Sequence, residues 1–304
     1  MKKILKRVFL GLGVVVLLAV VTLAIFVATQ VSAFDASMAK VYDVPIPTLA
    51  RSTDPVVIER GKHLAEAVAG CTSKDCHGTD LAGGTSMEMG PLGTLTGPNL
   101  TSKGLGAVYS DGELVRAIRH GVKKDGRSAL FMPAQDFNWL PDGDIVAIVS
   151  YIRSVPGVDK PNGPIRFGAM GKVLDRRGMF VADVARKIDH ANIETAPPPT
   201  PTAAYGKYLA RSCTGCHGER LSGGPIPGAP STMPIPLNLT PHETGMKGWT
   251  YDDLDKLLTK GDRKNGKKLD PFMPIENYGK MDETEKKALF AHLQGLAPLP
   301  YGGR

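Results

Sequence analysis

Aromatic residues make up only 6% of this 304-residue chain, with two tryptophans, so its cores call for apolar filler from another source. Acids are missing from the start: none precedes Asp35, whereas Lys2, Lys3, Lys6 and Arg7 fall within the first seven residues. Those four cations account for most of the net charge of +7, and the rest of the chain carries only +3. So small a surplus gives no support to a nucleic-acid partner. No alternating apolar and polar run of useful length appears, which argues against a sheet-based fold and leaves an all-α class. Cysteine is scarce as well: Cys71, Cys76, Cys213 and Cys216 are the whole supply. In an exported protein two disulfides are the plain expectation. A histidine directly follows each pair, however, and disulfides give no reason for that.

The N-terminus does have one long apolar run. From Val8 to Val31 only Thr22, Thr29 and Gln30 interrupt it, enough to cross a bilayer core of about 30 Å as a helix. Basic residues in front and none immediately behind place the N-terminus inside and everything after Ala33 outside. The rival reading is a cleaved signal peptide, favoured by Val31-Ser32-Ala33, although a signal's apolar stretch usually covers about 7–15 residues. Both readings export the remainder.

The remainder repeats itself once, at an offset near 140. Gly61-Lys62-His63-Leu64 answers Gly206-Lys207-Tyr208-Leu209, and Cys76-His77-Gly78 answers Cys216-His217-Gly218. Leu81-Ala82-Gly83-Gly84, Pro98-Asn99-Leu100-Thr101 and Phe131-Met132-Pro133 find their counterparts at Leu221-Ser222-Gly223-Gly224, Leu237-Asn238-Leu239-Thr240 and Phe272-Met273-Pro274. One domain is used twice. Each copy reads as helices joined by Gly/Pro-rich loops, with helix starts marked at Ser110/Glu113 and Thr250/Asp253 by cap spacing. The last helices follow Asp142 and Asp282. Between the copies, Arg166–His190 is basic and part helical, and the proline tract of 195–202 reads as a semi-rigid spacer.

Cys213-Thr214-Gly215-Cys216-His217 is the C-x-x-C-H attachment signature of c-type haem. Two thioether bonds fix the porphyrin edge to one turn of chain, and the next residue's imidazole then falls beneath the iron. A zinc ribbon wants a second Cys/His pair nearby, and a thioredoxin-like dithiol wants a βαβ setting; neither is present. Cys71-Thr72-Ser73-Lys74-Asp75-Cys76-His77 has four residues between its cysteines, so two of them must bulge outward. Three readings stay open there: haem on both sulfurs, haem on Cys76 alone, or a Cys71–Cys76 disulfide in a copy without haem.

A second axial ligand is expected at Met132 and Met273, 55 and 56 residues after His77 and His217, each in a Phe-Met-Pro loop. His120 is the alternative for the first iron. It faces Lys260 in the other copy, as His63 faces Tyr208, so both histidines read as structural or solvent-facing. Asn99 and Asn238 read either as bridges to a haem propionate or as plain turns. Tyr109 and Trp249 read as haem-wall aromatics or as core packing.

With these motifs the chain resembles the bacterial di-haem cytochromes c, including the cytochrome c subunits of membrane-bound alcohol and aldehyde dehydrogenases. The resemblance implies two tandem class I cytochrome c domains behind an N-terminal transmembrane helix, holding two haems c with His/Met-ligated iron. It also implies a bacterial inner-membrane, single-pass location, with the haem domains in the periplasm. The expected bounds are 1–33 for the anchor, 34–54 for a connector, 55–157 for domain 1, 158–202 for the linker, 203–298 for domain 2 and 299–304 for a tail. The implied role is one-electron transfer rather than an enzyme's, with redox donor and acceptor proteins such as a dehydrogenase, a quinol-oxidising complex or a terminal oxidase. The alternative is a haem enzyme, either a di-haem peroxidase or a thiosulfate-oxidising cytochrome. That class needs an open sixth position with acid–base groups above it.

Overall fold

A computed structural model describes residues 2–304 apart from 180, 192–194, 228, 230 and 231, and these residues are mostly helical. Helix α1, Lys2–Ala39, is 38 residues long and continues six residues past the expected anchor. None of its most apolar stretch is buried. A core helix of a water-soluble protein would hide such a surface. Its last turn, by contrast, is fastened. The Phe34 ring is buried against Phe167, centroids 5.3 Å apart, and Lys172 pairs with Asp35 at 2.6 Å. Ser37 donates to the Asp183 carboxylate.

Each copy is built on a crossing of its first and last helices. In the first copy α2, Pro55–His63, crosses α4, Asp142–Ser154; intervening α3 spans Asp111–His120. After α5, Ala169–Arg176, the second copy has α6, Ala203–His217, and α7, Tyr251–Lys260. The short α8, Ile275–Tyr278, and α9, Glu283–Gln294, complete it. At the two crossings a Cβ on Gly61 would lie 1.8 Å from the Ala147 carbonyl oxygen, and one on Gly206 1.9 Å from that of Ala288. Only glycine lets the backbones approach so closely. The expected caps are present as reciprocal capping boxes, Ser110 with Glu113 and Thr250 with Asp253.

Three features depart from the sequence reading. A small antiparallel sheet joins β1 (Met87–Glu88), β2 (Gly93–Leu95) and β3 (Arg166–Phe167), with Met87 opposite Leu95 and Gly93 opposite Phe167. Strands of two or three residues are too short to show alternation. The linker is also more than a spacer. Residues 158–179 and 181–191 fold back onto the first copy, where the buried Asp175 carboxylate accepts from Ala182 N–H and pairs with Arg186. The proline tract that follows is irregular, and residues 192–194 of the linker lie outside the described residues. The tail turns back as well, Arg304 donating to the carbonyls of Cys216 and Gly224.

The copies are joined by a buried polar cluster with approximate twofold character. His63 of the first copy meets Glu285 of the second at 2.7 Å. Tyr208, its counterpart, donates to Asp144, the counterpart of Glu285. Arg60 lies between the two carboxylates, 3.3 Å from Asp144 and 3.5 Å from Glu285. Tyr205 also donates to Glu285. Burial alone would raise the Glu285 carboxyl, but the His63 hydrogen bond and charge hold it below its ordinary range.

Candidate functional site

The second attachment segment is the last turn of α6. Its helical course closes with Gly218 N–H donating to Thr214. The first copy needs fifteen steps from its helix glycine to the second cysteine, against ten in the other. A π-helical turn at Leu64–Val68 and a run of tight turns through 71–77 take up the excess. Lys74 and Asp75 stand exposed at the outside of those turns, the bulge that the longer spacing requires.

From the histidines onward the two segments match bond for bond. His77 Nδ1 lies 2.9 Å from the Pro98 carbonyl oxygen, and His217 Nδ1 lies 2.7 Å from that of Leu237. A carbonyl only accepts, so Nδ1 carries the proton in both rings and Nε2 keeps its lone pair. Burial pushes both imidazoles below their ordinary pKa. They are therefore neutral and oriented, as a nitrogen ligand to iron must be. Gly83 N–H bonds the His77 carbonyl as Gly223 N–H bonds that of His217. Leu81 and Leu221 both hold φ near +57°, at 57° and 56°. Shared strain at one position of each repeat marks a geometry that both sites depend on.

All four cysteines are free. Burial pushes the Cys71 thiol up to about 12 and Cys213 up to about 11. Reactive dithiols have lowered thiol pKa values, opposite to the direction at Cys71 and Cys213; Cys216 is exposed and the other three are half-buried. The surrounding backbone is tight: a Cβ on Gly97 would fall 1.5 Å from the Cys76 carbonyl oxygen, and one on Gly84 2.3 Å from it.

The methionine corners also correspond. Pro133 has φ −77° and ψ 59°, Pro274 φ −78° and ψ 62°. Ala134 N–H donates to Met132 and Ile275 N–H to Met273, at 2.7 and 2.8 Å. Met132 packs on the main core together with Cys71 and Cys213; Met273 is half-buried. His120 has a different engagement, its Nδ1 lying 3.1 Å from His190 Nδ1 of the linker. Burial, with His190 adding, lowers His120 to about 4.

Asn99 and Asn238 prove to be fasteners of the chain itself. Asn99 accepts from Thr101 N–H and hydroxyl and donates to Val158 and Lys160 carbonyls. Asn238 accepts from Thr240 N–H and hydroxyl and donates to the Thr244 hydroxyl and the Leu299 carbonyl. Tyr109 accepts from Lys124 N–H, while Trp249 lines a cavity of about 380 Å³ in the second copy. Leu237, Leu239 and Leu257 give that cavity an apolar wall, and Glu243, Lys247, Arg263 and Lys264 give it a charged rim of both signs. Cys213, Cys216, His217 and Met273 are not among the residues that line it.

Contacts between the copies leave no trace in the motifs. The Asp136 carboxylate, four residues after Met132, lies 3.3 Å from the Cβ position of Gly215 in the second attachment segment. Burial, reinforced by Glu219, raises it to about 6. Its counterpart Asn277 donates to the Glu66 carbonyl at 2.8 Å, just before the first attachment segment. Each methionine corner thus leans on the other copy's histidine segment. The one available signal is that Asp136 and Asn277 occupy equivalent places after the Met-Pro pairs.

By sequence the chain is similar to cytochrome c subunits of dehydrogenases. No family model matches it. Over 102 residues, 31% of this chain and 23% of the relative, it is 36% identical to the gluconate 2-dehydrogenase cytochrome c subunit of Pantoea cypripedii. Over 240 residues, 68% of this chain and 48% of the relative, it is 28% identical to the alcohol dehydrogenase (quinone) cytochrome c subunit of Gluconacetobacter polyoxogenes. A nicotinate dehydrogenase subunit of Pseudomonas putida is 27% identical over 278 residues, 82% of this chain and 22% of that protein. The chain therefore spans between about a fifth and a half of the length of these curated relatives.

Proposed function

We propose that the chain is a di-haem cytochrome c, made of two tandem domains, that relays electrons one at a time for a dehydrogenase. The observation that carries this reading is the matched pair of histidines, each with Nδ1 committed to a backbone carbonyl and Nε2 free. Cys71 and Cys76, and Cys213 and Cys216, hold the two haems covalently; His77 and His217 ligate from one side, Met132 and Met273 from the other. Haem iron supplies a one-electron couple between ferrous and ferric states, and a thioether ligand favours the ferrous one. The protein's part is to hold each imidazole by its outer nitrogen, keep water out and keep two sites near each other. No substrate bond is made or broken, so no acid–base residue is required. The names of the relatives support a dehydrogenase as electron donor; a quinol-oxidising complex is the second donor class and a terminal oxidase the acceptor class. Helix α1 serves as a retained single-pass anchor with the haem domains in the periplasm. Its unbroken course through Val31–Ala33 and the docking of Phe34 support retention over cleavage.

The test combines mass and spectrum. The denatured protein should weigh two haems more than the polypeptide, and Met132→Ala and Met273→Ala should each abolish one sulfur-to-iron charge-transfer band. Each should also lower one potential and open one iron to cyanide. An increment of one haem would remove the first site, and unchanged spectra in both variants would bring the haem-enzyme reading forward.

A further inference from the structure

The folded body meets α1 before its apolar run is over. Residues 2–26 of the helix are exposed throughout. From there Val27, Gln30 and Val31 are half-buried and Phe34 is buried, a single stripe at helical spacing. Helix α5 packs along this end of α1, with Lys172 on Asp35 and, just before the helix, Phe167 on Phe34. In a retained anchor, residues 27–31 are the outer turn of the segment that crosses the hydrocarbon core. Helix α5 then sits at the depth of the lipid headgroups.

What α5 leaves outward suits that depth. Its Gly171 and Asp175 are buried, whereas Met170, Val173 and Arg177 share the opposite side at i, i+3 and i+7. Met170 is 53% exposed, Val173 half-buried and Arg177 exposed. Met179, 43% exposed, extends the apolar part beyond the helix. Arg176 and Arg177 have no ion pair among the described residues. The acids around them are engaged elsewhere: Asp35 with Lys172, Asp175 with Arg186, and Glu88 as acceptor from Thr94 in the small sheet. Apolar side chains beside unpaired guanidinium groups are the make-up of a surface that lies in a membrane interface. The apolar part enters the acyl boundary and the cations meet lipid phosphates.

Resting on the reading of α1 as a retained anchor, we infer that the outward side of α5, together with Met179, is a second membrane contact that seats the first copy on anionic phospholipid. Met170 and Met179 enter the interface, and Arg176 and Arg177 pair with headgroup phosphates. The linker between the copies thereby serves as a foot as well as a connection.

The test uses the full chain in nanodiscs of phosphatidylcholine, with or without about 30% phosphatidylglycerol. A nitroxide label is placed in turn at Thr22→Cys, at Met170→Cys and at Val56→Cys, an α2 site that is 76% exposed, with the unsubstituted chain as labelling blank. Power saturation compares collisions with oxygen, which concentrates in lipid, and with a nickel chelate, which stays in water. At Met170 the oxygen-to-nickel ratio should be at least about five-fold that at Val56, and phosphatidylglycerol should raise it about two-fold further. Arg176→Glu with Arg177→Glu should remove the phosphatidylglycerol increment and leave Thr22 unchanged. A ratio at Met170 no higher than at Val56, with Thr22 lipid-like, overturns the inference and leaves the anchor standing. An increment that survives the double substitution overturns it too. A water-like Thr22 overturns the anchor reading itself. Spin–spin broadening at Met170 that grows with the protein-to-lipid ratio assigns the face to a second copy and also overturns the inference.

Discussion

His63 joins the copies through a positive charge that is lost as pH rises. The hydrogen bond to Glu285 raises its pKa above the ordinary 6.5, with burial opposing. A raised histidine contributes stability that is complete below its unfolded pKa and is lost as pH rises through the folded one. Glu285, held low, contributes above its ordinary 4.5 and loses that contribution only as pH falls through its depressed folded value. The contact between copies is therefore strongest between about pH 4.5 and 6.5 and weakens on the alkaline side. Thermal melts of the haem-loaded protein should show the midpoint falling by about 3 °C from pH 6 to pH 9, and His63→Gln should flatten that dependence. By sequence alone His63 reads as structural or solvent-facing, because its counterpart is Tyr208. Both side chains in fact do one job, reaching a carboxylate at the start of the other copy's last helix. The pairs Arg60/Tyr205 and Asp144/Glu285 hold that signal, but a contact between copies is invisible until the copies are placed.

At the scale of elements, the helix crossings and α1 give the sharpest tests. Gly206→Ala sets a methyl 1.9 Å from the Ala288 carbonyl oxygen and should destabilise the second copy by about 3 kcal/mol in denaturant unfolding. Gly143→Ala, whose Cβ meets nothing within 4 Å, should leave stability unchanged or raise it by up to about 1 kcal/mol. For α1, alkaline carbonate should leave the protein in the membrane pellet, and protease outside spheroplasts should remove the haem domains. A soluble form beginning at Phe34 would instead mark a cleaved signal. The helices are legible in the sequence because caps such as Ser110/Glu113 and apolar faces on α4 and α9 act locally. The fold of 158–191 is not, because its docking runs through backbone bonds such as Phe131 to Ala182, which leave no periodic pattern.

Across the whole molecule, the repeat is legible because Cys-His-Gly, Asn-Leu-Thr and Phe-Met-Pro recur at a nearly constant offset, although the two cysteine spacings differ. Its consequence for architecture, two methionine corners each leaning on the opposite attachment segment, follows from Asp136 against Gly215 and Asn277 against Glu66. Neither pair is complementary in charge, so nothing in composition announces it. The docked end of α1 has a further result. At about 1.5 Å per residue its 38 residues reach about 57 Å, of which a bilayer core takes about 30 Å. Directly after the apolar run, Phe34, Asp35 and Ser37 grip Phe167, Lys172 and Asp183, so the anchor proposed above would leave no slack between bilayer and protein. The first copy is thus mounted like a post, and the second copy is bolted to it through Glu285 and Asp144. With α1 as the anchor proposed above, His77 and His217 would each stand at a fixed elevation over the lipid, and a membrane-bound partner would have to present its redox centre at a matching height.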